Sequence, residues 1–158
     1  MLTKKLDSYF NEAKNHINKI DRAKEVLKNI MPLDIKKLSN LSETEQDKLD
    51  ILAFRFAKLQ DLLGDKIFKN ILQYSGYNIQ KPFVEILSEL EREGFLNLNL
   101  WLELRDARNA IAHDYPEDDE LKIEAINFIF ENSSYLSLLT QKLEDYYNEI
   151  KQQRETNN

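Results

Sequence analysis

The sequence predicts an all-α protein: an up-and-down, four-helix-type bundle with one short accessory helix. Three observations carry this. Only three glycines and three prolines interrupt 158 residues, which are rich in Leu, Ile, Lys and Glu. Apolar residues recur at three- and four-residue spacing over long stretches. No segment alternates apolar and polar residues as a half-buried strand would, and no internal repeat is visible.

The elements follow in order. Leu6, Phe10, Ala13, Ile17, Ile20, Leu27 and Ile30 share one face of a first helix over residues 3–30, which Met31-Pro32 ends. A loop, PLDIKKLSNL, is expected next. The second helix opens on SETE, where Ser42 and Glu45 have capping-box spacing. Its stripe is Leu49, Leu52, Phe56, Leu59, Leu63, Ile67 and Ile71, and Gly76 is its stop. Gly64 inside it costs about 1 kcal/mol against Ala, which points either to close approach of another helix or to a kink. The short accessory helix over 83–92 follows Pro82 and ends at Gly94. A fourth helix over 96–114 stops before Pro116. The last begins after PEDD, whose carboxylates suit a helix N-terminus, and runs to Gln152 with Leu121, Ala125, Phe128, Leu136, Leu139, Leu143, Tyr146 and Ile150 inward. Residues 1–152 are thus expected as a single helical domain and 153–158 as a frayed tail.

Composition bounds the function. Apolar residues make up 42% and charged residues 32%, the balance of a globular chain. The absence of cysteine excludes disulfides and thiolate metal sites, and fits a cytoplasmic location. The opening MLTKKLDSYFNEAKNH has no apolar segment of a secretory signal, and no apolar run is long enough for a membrane helix. A net charge of −6 argues against broad affinity for nucleic-acid backbones while leaving room for a local basic cleft.

One stretch needs explanation. WLELRDARNAIAHDYPEDDE sets Arg105, Arg108, His113 and Tyr115 at the end of a helix otherwise fit for a core. Arg108 and Tyr115 are seven residues apart and nearly superposed on an ideal helix, and Arg105 lies one turn before Arg108. Leu102, Leu104, Ala107, Ile111 and Ala112 can pack inward. Taken singly, the residues have ordinary roles: a solvated or ion-paired arginine, a histidine at the negative end of a helix dipole, a tyrosine with a wet hydroxyl. Their combination is less ordinary, since multiplying residue frequencies yields Arg-x4-His-x-Tyr in roughly one such chain in 300.

RNAIAHDY resembles the R-x4-H-x-Y motif of the HEPN superfamily, in its HepT-like branch. Arg108, His113 and Tyr115 fall on the motif positions, and Asn109 on the polar residue that follows the arginine. The resemblance implies a HEPN-like bundle and a metal-independent endoribonuclease that needs no cofactor. It acts as a homodimer in which two motifs face each other across the interface. It further implies the toxin of a toxin–antitoxin pair, whose partner is a minimal nucleotidyltransferase that attaches AMP to the motif tyrosine and silences the toxin. On this reading Arg108 and His113 are catalytic, Arg105, Asn109 and Tyr115 support them or bind RNA, and Tyr115 is the modified residue. A non-catalytic HEPN-type partner of a nucleotidyltransferase is the alternative.

The residue types suit that chemistry. Cleavage through the 2′-hydroxyl needs a base at that hydroxyl and an acid at the leaving 5′-oxygen, and histidine serves as either near neutrality. One chain supplies only His113 at this edge, so symmetry would bring the second. An arginine fork stabilises the charge that builds at phosphorus. Two other features have plainer readings. The carboxylates of PEDDE are expected as helix caps and not metal ligands, and His16, with no second ligand at metal-binding spacing, as a surface or boundary residue. Arg55, Lys58 and Asp61 in FRFAKLQD form either an exposed face of local ion pairs or a polar face directed at the cleft.

Overall fold

The protein, described here from a computed structural model over residues 1–112 and 118–157, is all-helical, with no strand among the described residues. The elements are α1 (Leu2–Leu27), α2 (Ile35–Ser39), α3 (Glu43–Leu62), a π-helical turn (Leu63–Ile67), α4 (Phe68–Tyr74), α5 (Phe83–Arg92), α6 (Leu98–Ala112), α7 (Asp119–Asn132) and α8 (Ser134–Thr156). No helix among them is long and apolar enough to cross a membrane.

Local signals set several boundaries. The Ser42 hydroxyl accepts the Glu45 N–H at 3.1 Å, and the Glu45 carboxylate accepts the Ser42 N–H at 2.8 Å, closing the capping box. Gly76 and Gly94 end their helices at φ of +96° and +83°, where a side chain would be strained. The Asp118 carboxylate accepts the Leu121 N–H at 3.0 Å, so it is a cap, as its position suggested. Among the described residues no cluster of three His, Cys, Asp or Glu side chains is placed to hold a metal ion.

Side-chain contacts give the directions of the long helices. Ser133, just before α8, meets Lys24 at 3.0 Å. Near the other end of α8, Tyr147 stacks on Phe10 with centroids 5.6 Å apart, and its hydroxyl donates to Asp7 at 2.8 Å. α8 therefore runs antiparallel to α1. Tyr74, closing α4, lies edge-on to Tyr147 at 5.4 Å, while Arg55 in α3 meets His16, so the α3–α4 run is also antiparallel to α1. One main core joins these faces, with Leu6, Phe10, Phe56, Phe68, Trp101 and Leu136 among its fully enclosed members. A smaller core of Leu33, Ile123 and Ile126 sits where the chain after α1 crosses α7. There Asn127 accepts the Leu33 N–H at 2.8 Å and donates to the Leu33 carbonyl at 3.0 Å, satisfying both backbone groups.

The structure departs from the sequence reading at five places. The expected loop holds α2, which starts because the Asp34 carboxylate caps the Lys37 N–H at 2.7 Å. The last helix is two, separated by Ser133. Asn132 donates back to the Phe128 carbonyl, in competition with regular helix bonding, and the Ser133 hydroxyl accepts from Lys24 on α1. In α7 the buried line is Ile123, Ala125, Ile126 and Ile129, and Leu121 is turned out. α8 runs on to Thr156, past the expected end at Gln152, with Arg154 lying 4.0 Å over the Tyr74 ring and donating to the Tyr74 carbonyl. His16 is buried, not peripheral, at 7% exposure. It lies three residues after Ala13 and four before Ile20, on the buried stripe itself.

Candidate functional site

The site begins with how α6 is seated. Trp101, Leu104 and Ala107 form its buried face. Trp101 packs on Phe68 with centroids 4.9 Å apart, and its ring lies against Gly64: a Cβ there would stand 3.4 Å from Trp101 Cζ2, in ordinary van der Waals contact. Gly64 itself sits inside the π turn. Two helical turns beyond Trp101 on the same line comes Arg108. The Trp101 contact brings it level with Asp61, one turn before Gly64.

There Arg108 and Asp61 form a fork. Nη1 lies 2.6 Å from Oδ1, and Nη2 donates to Oδ2 at 3.0 Å. The two side chains are 29% and 42% exposed, so the pair stands at the rim of the core and remains open to solvent. Asp61 engages two of the five guanidinium N–H donors and leaves three. Arg105 and Asn109 are exposed on the adjoining edge of α6, one turn apart.

The facing side of α3 is built from Phe54, Arg55, Lys58 and Asp61. Its charges do not pair locally. Arg55 Nη1 lies 3.2 Å from His16 Nδ1, and Asp61 reaches Arg108 on α6. Arginine has no acceptor, so Nδ1 must present its lone pair: His16 is neutral, with its proton on Nε2. Burial is the main cause that lowers the His16 pKa. Glu12 pulls it upward, and the nearby charges of Arg55 and Lys58 add to the lowering.

Phe54 is the unexpected member. It is 55% exposed, while Phe56 two residues on is fully buried. The Arg55 guanidinium carbon and the Lys58 ammonium lie 5.6 and 5.4 Å from its ring centroid. Its other neighbours line a pocket of about 200 Å³ formed with Ala57, Arg108, Ile111, Ala112 and Ile129. A signal for this existed in FRF: two phenylalanines two apart on a helix lie about 200° from each other, so one must leave the core.

Of the predicted site residues, the structure brings Arg108 together with the α3 face and places Arg105 and Asn109 beside it. His113 and Tyr115 lie outside the described residues. The groove between α6 and α7, about 270 Å³, is lined by Glu103, Asp106 and Glu124 around Leu121 and Phe128, a charge unsuited to a polyanion. No family model, curated protein sequence or solved structure matches the chain.

Proposed function

We propose that the chain is a HEPN-type endoribonuclease that works as a homodimer and cuts RNA through its own 2′-hydroxyl. Its cellular role on this reading is that of a HepT-like toxin, silenced when a minimal nucleotidyltransferase attaches AMP to Tyr115. One observation supports it above the motif itself. Arg108, the motif arginine, is held in fork geometry at the solvent edge of α6, with three donors not engaged among the described residues. In this mechanism Arg108 stabilises charge at phosphorus. The two His113 imidazoles of the dimer divide the roles of base and acid, Arg105 and Asn109 hold the backbone, and Tyr115 contacts RNA when unmodified.

The test is cleavage of total cellular RNA by the purified protein with EDTA present, wild type beside His113→Ala and Arg108→Ala. Discrete products from wild type alone are the expected result. No products from wild type, in a preparation that mass spectrometry shows to be free of AMP on Tyr115, refute the reading.

A second reading has its own observation. Asp61 already neutralises Arg108, as a structural ion pair would. The chain would then be a non-catalytic HEPN-type binding partner of a nucleotidyltransferase. Tight binding of that partner with no RNA cleaved is its mark.

A further inference from the structure

We propose that Phe54 is a stacking platform for an unpaired nucleobase of bound RNA, with Arg55, Lys58 and Arg108 holding the flanking phosphates. The inference deepens the ribonuclease reading by naming where a single strand is gripped beside the motif arginine, and it rests on that reading for the identity of the polymer.

A phenylalanine left 55% exposed loses the burial that stabilises its neighbours on α3. Two cationic side chains, Arg55 and Lys58, lie against its ring, and the Arg108–Asp61 pair adjoins the same pocket, on a chain whose net charge is −6. An exposed aromatic ring beside basic side chains is the arrangement by which proteins hold single-stranded nucleic acid: bases stack on the aromatic, and phosphates meet the charges. Ala57, Ile111 and Ala112 give the pocket beside the ring an apolar lining, and Arg108 also lines it. Arg55 and Asp61 are tied to His16 and Arg108, so the face is held in place before a ligand arrives.

A second copy of the chain fits this face less well. A closed two-fold contact over Phe54 would set Arg55 and Lys58 near their own copies, with Asp61, already engaged by Arg108, as the carboxylate of this face.

The experiment is fluorescence anisotropy with a labelled single-stranded 2′-O-methyl RNA of mixed A and U, which cannot be cut through its 2′-oxygen. Wild type is compared with Phe54→Leu, Phe54→Trp and Lys58→Gln, each checked for native helicity. Phe54→Leu keeps an apolar side chain and removes the π-face. It is expected to weaken binding about 5- to 150-fold. Phe54→Trp is expected to retain binding, with its added indole fluorescence quenched by RNA. Lys58→Gln is expected to lower the salt slope of binding by about 0.7.

Wild-type affinity in Phe54→Leu overturns the platform, as does absence of binding by wild type. Dissociation of a wild-type dimer by Phe54→Leu in sedimentation also overturns it, since that marks a contact between copies. The two readings fail separately. If wild type cuts unmodified RNA while Phe54→Leu binds normally, only the platform falls. If wild type cuts nothing while Phe54→Leu loses binding, only the nuclease falls.

Discussion

The fork between Arg108 and Asp61 links two helices 47 residues apart in sequence, and its strength can be measured. Two unit charges about 4 Å apart attract by about 1 kcal/mol in water and about 4 kcal/mol at the effective dielectric of a protein surface. With Asp61 42% exposed and Arg108 29% exposed, the first figure is the nearer guide. Fork geometry raises the value and side-chain ordering lowers it. A double-mutant cycle of Asp61→Ala and Arg108→Ala should therefore yield a coupling energy of about 1 kcal/mol at low salt. Urea unfolding followed by circular dichroism at a helix wavelength reads it, and 0.5 M NaCl should reduce it, because the pair is within reach of counterions. A coupling under about 0.3 kcal/mol would refute the idea that the fork holds Arg108 in place. Asp61→Asn adds a functional arm. It keeps one acceptor for the guanidinium while removing the negative charge that competes with phosphate. On the ribonuclease reading, RNA binding should tighten in Asp61→Asn, and an unchanged or weaker affinity counts against that account of Asp61.

Three further outcomes are expected. Because the folded pKa of His16 lies below its unfolded value, the unfolded chain takes up the proton first. Stability should be full above about pH 6.5 and fall as pH drops below it, and His16→Gln should flatten that part of the curve in thermal melts from pH 8 to 5. Gln60 is only 3% exposed, and neither end of its amide has a hydrogen-bond partner among the described residues. Gln60→Met should therefore stabilise the fold by about 1 kcal/mol, read as a melting temperature about 2–4 °C higher. Asn127→Ala strips both partners from the Leu33 backbone and should cost about 2 kcal/mol. Faster hydrogen exchange at the Leu33 amide would accompany it, and an unchanged exchange rate would show that the second core does not depend on Asn127.

Local features were legible in the sequence, and the reason is their range. A capping box spans four residues, a glycine stop depends on one φ angle, and a helical stripe repeats every turn. Ser42, Glu45, Gly76, Gly94 and most of the α1 and α3 stripes follow from chemistry within a few residues of themselves. The basic edge of α6 was legible on the same ground, since Arg105, Arg108 and Asn109 lie within one turn.

What a helix face meets is decided elsewhere. The α7 sequence offers two apolar lines, one through Leu121 and Phe128 and one through Ile123, Ile126 and Ile129. The chain after α1 selects the second by packing Leu33 against it. His16 reads as polar and peripheral until Arg55, on another helix, supplies a donor that lets a neutral imidazole stay inside. Arg108 reads as a solvated or ion-paired arginine with no named partner until the packing of Trp101 on Phe68 seats α6 beside Asp61. By itself the sequence determined that the chain is helical, where most helices begin and end, and that Arg105, Arg108 and Asn109 share one edge of α6. The tertiary structure alone decided which carboxylate holds the arginine and which phenylalanine stands exposed beside it. Hydrogen bonds along a helix close within one turn, whereas ion pairs and packing join residues that only the folded chain makes neighbours.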